Sequence, residues 1–145
     1  MQLAQKVVLM RIELDTHLKS RKVIFIKKKL DEYNLEYVGG YNVRALNVFI
    51  NEKGIIIGGL IGIIYWNWLY IDSLWVDIKH RGKGIGTKIL ETAEQEARLR
   101  GCIGIHLDTH YFQNVAFYER KGFKIQGEIK DLPKGHCRYL LTKIL

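Results

Sequence analysis

From Val76 to Thr87 the chain reads Val-Asp-Ile-Lys-His-Arg-Gly-Lys-Gly-Ile-Gly-Thr, with glycines at the alternate positions 82, 84 and 86. Residues without a Cβ let the backbone approach a ligand closely and turn several N–H groups toward one point. A helical pattern starts directly afterwards, and the unpaired amides of a helix N-terminus favour an anion. Lys79, Arg81, Lys83 and Lys88 add cationic side chains around the turn. The chemistry implied is the binding of a pyrophosphate. A Walker loop is excluded because no Gly-Lys-Ser/Thr follows four residues after a glycine. A Rossmann fingerprint is excluded as well, since the string is GxGxG rather than GxGxxG and antiparallel strands precede it.

A second set of residues could move protons. Asp72 lies on the strand before the glycine turn. Strict alternation puts Asp72 on the same strand face as Leu74 and Val76. There its carboxylate either deprotonates an ammonium or pairs with a basic side chain across the strand. His106, Asp108 and His110 alternate along the next strand; the reading preferred is a solvated strand end rather than a metal centre, with no metal expected. Cys102 and Cys137 are too few for a disulfide framework, form no CxxC pair and are expected as reduced thiols in the cytoplasm.

The elements that position these groups follow from periodicity. The chain has 145 residues, 48% of them hydrophobic and 26% charged, with one proline and no linker, repeat or low-complexity block. One continuous domain over residues 1–145 is expected. A first strand is expected over Lys6–Leu14 and a helix over Arg21–Tyr33 with Ser20 as N-cap. Leu46–Asn51 and Ile55–Tyr65 form a hairpin through Glu52–Lys53–Gly54, and Leu69–Val76 returns through a turn at Asn67. Gly58, Gly59 and Gly62 suggest a bulge or a close backbone approach. Gly84–Arg100 is a helix with Ile85, Ile89, Leu90, Ala93 and Ala97 inward and a stop at Gly101. A strand over Cys102–Asp108, a helix over Gln113–Lys121, and strands over Phe123–Glu128 and Cys137–Ile144 complete an α/β sheet with helices on its faces.

The string Val76–Gly86 resembles the acetyl-CoA motif of the GNAT N-acyltransferases, and Ala116-Phe117-Tyr118-Glu119-Arg120-Lys121-Gly122-Phe123 resembles the motif that follows it. Their order and separation match too. The resemblance implies a mixed, mostly antiparallel sheet with a central splayed parallel pair, Leu69–Val76 and Cys102–Asp108. It implies acetyl-CoA as co-substrate and direct acetyl transfer to a primary amine of a small molecule or peptide in a ternary complex. The backbones of Leu74 and Val76 would hold the pantetheine, and Arg81, Gly82, Lys83, Gly84, Gly86 and Thr87 the pyrophosphate. Tyr118 would donate a proton to the leaving thiolate, with Asp72 as candidate base. Many members carry an asparagine seven residues before the tyrosine, where this chain has Tyr111; Gln113 or Asn114 is the candidate replacement.

Tyr65, Trp66, Trp68 and Tyr70 could form an aromatic wall for the acceptor, although aromatics beside a hairpin turn also simply pack across strands. The net charge of +8 favours anionic partners. The alternative reading is a non-catalytic CoA sensor or a basic nucleic-acid-binding module. The short cluster Lys27–Lys28–Lys29 fits a solvated helix face better than a nucleic-acid stripe. The longest apolar run, Ile55–Trp66, is too short to span a membrane. The apolar stretch Tyr139–Leu141 would permit a homodimer.

Overall fold

The computed structural model describes residues 10–145. By its internal contacts the chain divides into two units, residues up to Gly40 and residues Tyr41–Leu145. The first unit carries α1, Arg21–Val38, five residues longer than the apolar spacing indicates. Ser20 is its N-cap, the side chain accepting from the Val23 amide at 3.3 Å, and Gly39 closes it at φ 69°. Lys28 and Lys29 both face Glu32, pairs that support an exposed helix. The expected strand Lys6–Leu14 lies mostly outside the described residues. Its described part, Met10–Leu14, takes no regular element and is exposed.

The second unit is a six-stranded sheet in the order β1-β2-β3-β4-β6-β5. The strands are β1 (Arg44–Glu52), β2 (Ile55–Tyr65), β3 (Trp68–Val76), β4 (Gly104–His110), β5 (Lys124–Lys130) and β6 (Cys137–Ile144). Among the described residues the only parallel pair is β3 with β4; the other four neighbouring pairs are antiparallel. Two hairpins begin the sheet, each turning on two residues of positive φ: Lys53–Gly54 and Trp66–Asn67. That is the geometry whose twist matches flanking strands. Trp66, unusual at φ 47°, is stacked on Tyr41 at 4.8 Å.

One face of this sheet packs on α2 (Ile85–Leu99) and α3 (Val115–Arg120). Leu60, Ile64, Leu69, Ile105, Leu107 and Leu141 meet Ile89, Leu90, Ala93 and Ala97, all essentially solvent-free. Each fully buried Leu or Ile contributes roughly 1.5–3 kcal/mol by leaving water. The helical spacing of α2 thus marks its buried stripe correctly. Gly101 follows α2 at φ 78°. Arg44 donates to the Arg100 carbonyl while Arg100 donates to the Ala45 carbonyl, tying the helix end to β1. β6 lies inside the sheet, so its Tyr139–Leu141 run is divided between faces; Leu141 is core, and the sheet edges are β1 and β5.

The glycines of β2 mark close approaches. A Cβ on Gly62 would stand 2.8 Å from Leu69 Cδ1 and 3.1 Å from the carbonyls of Leu46 and Tyr70. Opposite that position β3 carries an extra residue: Gly62 pairs with Ile71 and Ile61 with Ser73, leaving Asp72 unpaired as a bulge. The bulge corrects the alternation expected along this strand. Ile71, Leu74 and Val76 share the core face, and Asp72 belongs to neither run.

Candidate active site

The pairing of β3 with β4 runs from Trp68–Gly104 to Ile71–Leu107 and ends there. Beyond that rung the β4-facing edge of β3 has no strand partner among the described residues. A cleft of about 760 Å³ lies there and extends to the N-terminus of α2. Its walls hold Asp72, Leu74, Val76, Arg81, Gly82, Gly84, Gly86, Thr87, Gln113, Asn114 and Tyr118, nearly the whole set of expected site residues. Lys83 stands in the same turn but does not line the cleft. Arg120, Ser73 and Phe112 line it without having been singled out from the sequence; for Arg120 the signal was available, two residues after Tyr118 in the same motif.

Asp77 caps the short turn Ile78–His80, accepting from the Lys79 amide at 2.9 Å and lying 3.1 Å from His80 Nδ1. The His80 contact foremost, then the Lys79 amide, hold the Asp77 carboxyl below its ordinary value. Gly82 and Gly84 then adopt φ 74° and 79°, left-handed backbone in which a side chain is strained. Gly84 is the α2 N-cap and offers no side chain to its amides. The first intrahelical bond is from Lys88 N to Gly84 O, 3.0 Å, so the amides of residues 85–87 are left to a ligand. Arg81 turns back instead, its Nε donating to the Val76 carbonyl at 3.0 Å.

At the opposite wall, Tyr118 is 7% exposed and packed edge-on against Phe117 and Phe123. Burial pushes its phenol up to about 12, so the hydroxyl keeps its proton throughout the neutral range. The candidates for the missing asparagine are partly committed. Asn114, at φ 72°, uses Oδ1 to cap α3 through the Phe117 amide, 3.2 Å. Gln113 Oε1 accepts from the His110 amide at 3.0 Å and lies 2.9 Å from His110 Nδ1. Each keeps its amide NH₂ as the group available to a ligand.

Asp72 is exposed, and its carboxylate accepts from the Ser73 hydroxyl at 2.8 Å. Among the described residues no cation pairs with it, so the cross-strand ion pair weighed from the sequence is absent there. The alternating polar residues of β4 turn to separate partners rather than to a common centre. His106 Nε2 is 3.0 Å from the Tyr65 hydroxyl, and Asp108 is held by Arg138 and Tyr70. Tyr65, Trp68 and Tyr70 surround His106 at ring distances of 5.0–6.2 Å. Desolvation lowers the His106 pKa, outweighing the pull of Asp108. Three of the four wall aromatics therefore pack across strands, whereas Trp66 stacks on Tyr41 and touches Tyr65 at 5.8 Å.

The family model of the GNAT acetyltransferases matches residues 11–123. Over 107 residues the chain is 43% identical to blasticidin-S acetyltransferase of Streptomyces morookaense, covering 70% of this chain and 79% of the relative. The crystal structure of an acetyltransferase from Bacillus cereus superposes with a TM-score of 0.86 at 34% identity, covering 94% and 98% of the two chains. A Bacillus anthracis acetyltransferase assigned to streptothricin, solved with acetyl coenzyme A, superposes at 0.63 with 26% identity over 70% of this chain and 62% of its own. With the splayed parallel pair and the glycine turn at α2, these matches lead to one conclusion: the chain belongs to the GNAT family and is an acetyltransferase that moves an acetyl group from acetyl-CoA to an amine.

Proposed function

We propose that the chain acetylates a primary amine by direct attack on the thioester in a ternary complex, with Asp72 and Tyr118 as its proton-handling residues. The observation that carries the proposal is the shared cleft, which has the glycine turn at one end and Asp72 and Tyr118 on its walls. The amides of residues 85–87 and the glycine turn hold the pyrophosphate. The unpaired edge of β3 at Leu74 and Val76 binds the pantetheine and lends an N–H to the carbonyl oxygen as it becomes negative. The Val76 carbonyl is already taken by Arg81, so its amide is the group left for this. Asp72 takes one proton from the ammonium, the neutral nitrogen attacks the carbonyl carbon, and as the carbon–nitrogen bond forms and the carbon–sulfur bond breaks the second nitrogen proton passes to the sulfur, which leaves as the thiol. Tyr118 hydrogen-bonds the departing sulfur. An ordinary thiol titrates near 8.5, so a phenol at about 12 stabilises that sulfur by donation more than by surrendering its proton.

No cysteine nucleophile is needed, and Cys102 is buried with its thiol pKa raised by desolvation. The two free thiols suit the cytoplasm as the compartment. Among the described residues no helix is long and apolar enough to cross a membrane. We treat residues 1–145 as one catalytic domain because the family match runs from 11 to 123, across both units. Blasticidin S, the substrate named for the Streptomyces relative, is the first acceptor to screen. With any acceptor that is turned over, Asp72→Asn is expected to lower kcat by ~100-fold and leave the Kd for acetyl-CoA unchanged. Retention of the wild-type rate in that variant would remove Asp72 from the mechanism.

A further inference from the structure

The fork of the cleft has two arms, and each carries a carboxylate directly after the last paired rung. Ile71 and Leu107 make that rung, so Asp72 on β3 and Asp108 on β4 are the first residues past it. Both line the cleft, and the charges of both reach the Tyr70 hydroxyl. Their surroundings differ. Asp108 accepts from Arg138 Nε at 2.6 Å on Oδ2, with Arg138 Nη2 against the same oxygen. Its Oδ1 accepts from the Tyr70 hydroxyl at 3.3 Å. Three strands thus fix it: β3 through Tyr70, its own β4, and β6 through Arg138. Asp72 has only its neighbour Ser73.

This asymmetry meets a requirement of the reaction. An ammonium has three N–H groups, of which one proton must leave to free the lone pair. The two that stay need acceptors while the nitrogen approaches the thioester carbon. We propose that Asp108 is a second acceptor-binding residue, which receives one retained N–H of the amine across the fork from Asp72. Tyr70 and Arg138 act as positioning residues that hold it. The inference rests on the acetyl-transfer reading with Asp72 as base and extends it to the acceptor. Asp72 and Asp108 are the only carboxylates among the described residues that line the cleft, and Arg138 pairs with Asp108, which leaves Asp72 as the carboxylate without a cationic partner. The acceptor the fork fits is a primary amine with a single positive charge, and a second ammonium finds no counter-charge there.

The test uses the full chain with acetyl-CoA, following thiol release with 2-phenylethylamine and 1,5-diaminopentane as probe acceptors. Wild type is expected to have a kcat/KM for the monoamine at least equal to that for the diamine. Asp108→Asn is expected to raise the monoamine KM at least 10-fold with kcat within about 3-fold, whereas Asp72→Asn lowers kcat. Arg138→Met should reproduce the KM effect, and Arg138→Lys should restore part of it. A tie between β4 and β6 with no role in binding would lower the unfolding midpoint in the Asp108 and Arg138 variants and leave KM unchanged; that result overturns the inference. A diamine preferred 10-fold, or turnover of neither probe by a wild type that binds acetyl-CoA, overturns it too. Failure of the wild type to bind acetyl-CoA would instead overturn the acetyl-transfer reading beneath it.

Discussion

A tyrosine whose ionisation is moved well above the neutral range keeps its proton there and can donate a hydrogen bond. Tyr118 is such a residue, raised to about 12 by burial among Phe117, Phe123 and the wall of the cleft. Tyr118→Phe keeps the ring packing and removes only the hydroxyl. We expect kcat to fall by 10- to 100-fold with little change in the KM for acetyl-CoA, measured by steady-state thiol release. The same burial has a stability consequence with a definite sign. In the unfolded chain the phenol ionises near 10, so between pH 10 and 12 the folded state holds the proton more tightly and stability falls as pH rises. Denaturant titrations from pH 9 to 12 should show a loss, at most about 3 kcal/mol, that is smaller in Tyr118→Phe. The tyrosine was legible in the sequence because it stands in a motif. The roles of Arg138 and Tyr70 were not, since their partner Asp108 lies on another strand and pairing across a sheet leaves no spacing to read.

At the scale of elements, the site depends on where one strand stops pairing. The order of strands and helices from Leu46 onward could be read from alternation, glycine stops and helical spacing, because those patterns record which face is buried. The bulge at Asp72 could not be read in place. Nothing in Ile71-Asp72-Ser73 marks an extra residue, and alternation alone assigns Asp72 to the wrong run. The hint lay across the ladder, in Gly62, whose missing side chain admits Leu69 and the backbones of Leu46 and Tyr70. Gly62→Ala is therefore expected to destabilise the fold by about 1–3 kcal/mol, the usual range for overpacking. The check is the urea midpoint at unchanged slope, together with a weakened Kd for acetyl-CoA as β3 shifts at the mouth of the cleft. A midpoint equal to wild type would show that β2 and β3 are not as closely apposed as described.

For the whole molecule, the net charge of +8 is spent unevenly. Lys28 and Lys29 of α1 share Glu32, Lys143 grips Glu94 and Lys121 meets Glu91. Arg81 and Arg120 line the same cleft as the uncapped amides at the head of α2. That placement makes the overall charge meaningful for a polyphosphate ligand and gives no support to a nucleic-acid stripe. The first strand expected over Lys6–Leu14 lies mostly outside the described residues, and its described end, Met10–Leu14, forms no regular element.

The measurement that tests the account most directly is thermal unfolding of wild type and Gly84→Glu with acetyl-CoA, with ADP as the control ligand. The substitution puts a negative side chain at a left-handed position facing open space, in the turn proposed to hold the pyrophosphate. At 100 times Kd, acetyl-CoA should add about 2.7 kcal/mol and raise the wild-type midpoint by several degrees. The account predicts that shift in wild type, a smaller one with ADP and none in Gly84→Glu. An equal shift in both proteins would contradict it, because acetyl-CoA would then be held somewhere other than the glycine turn at the head of α2.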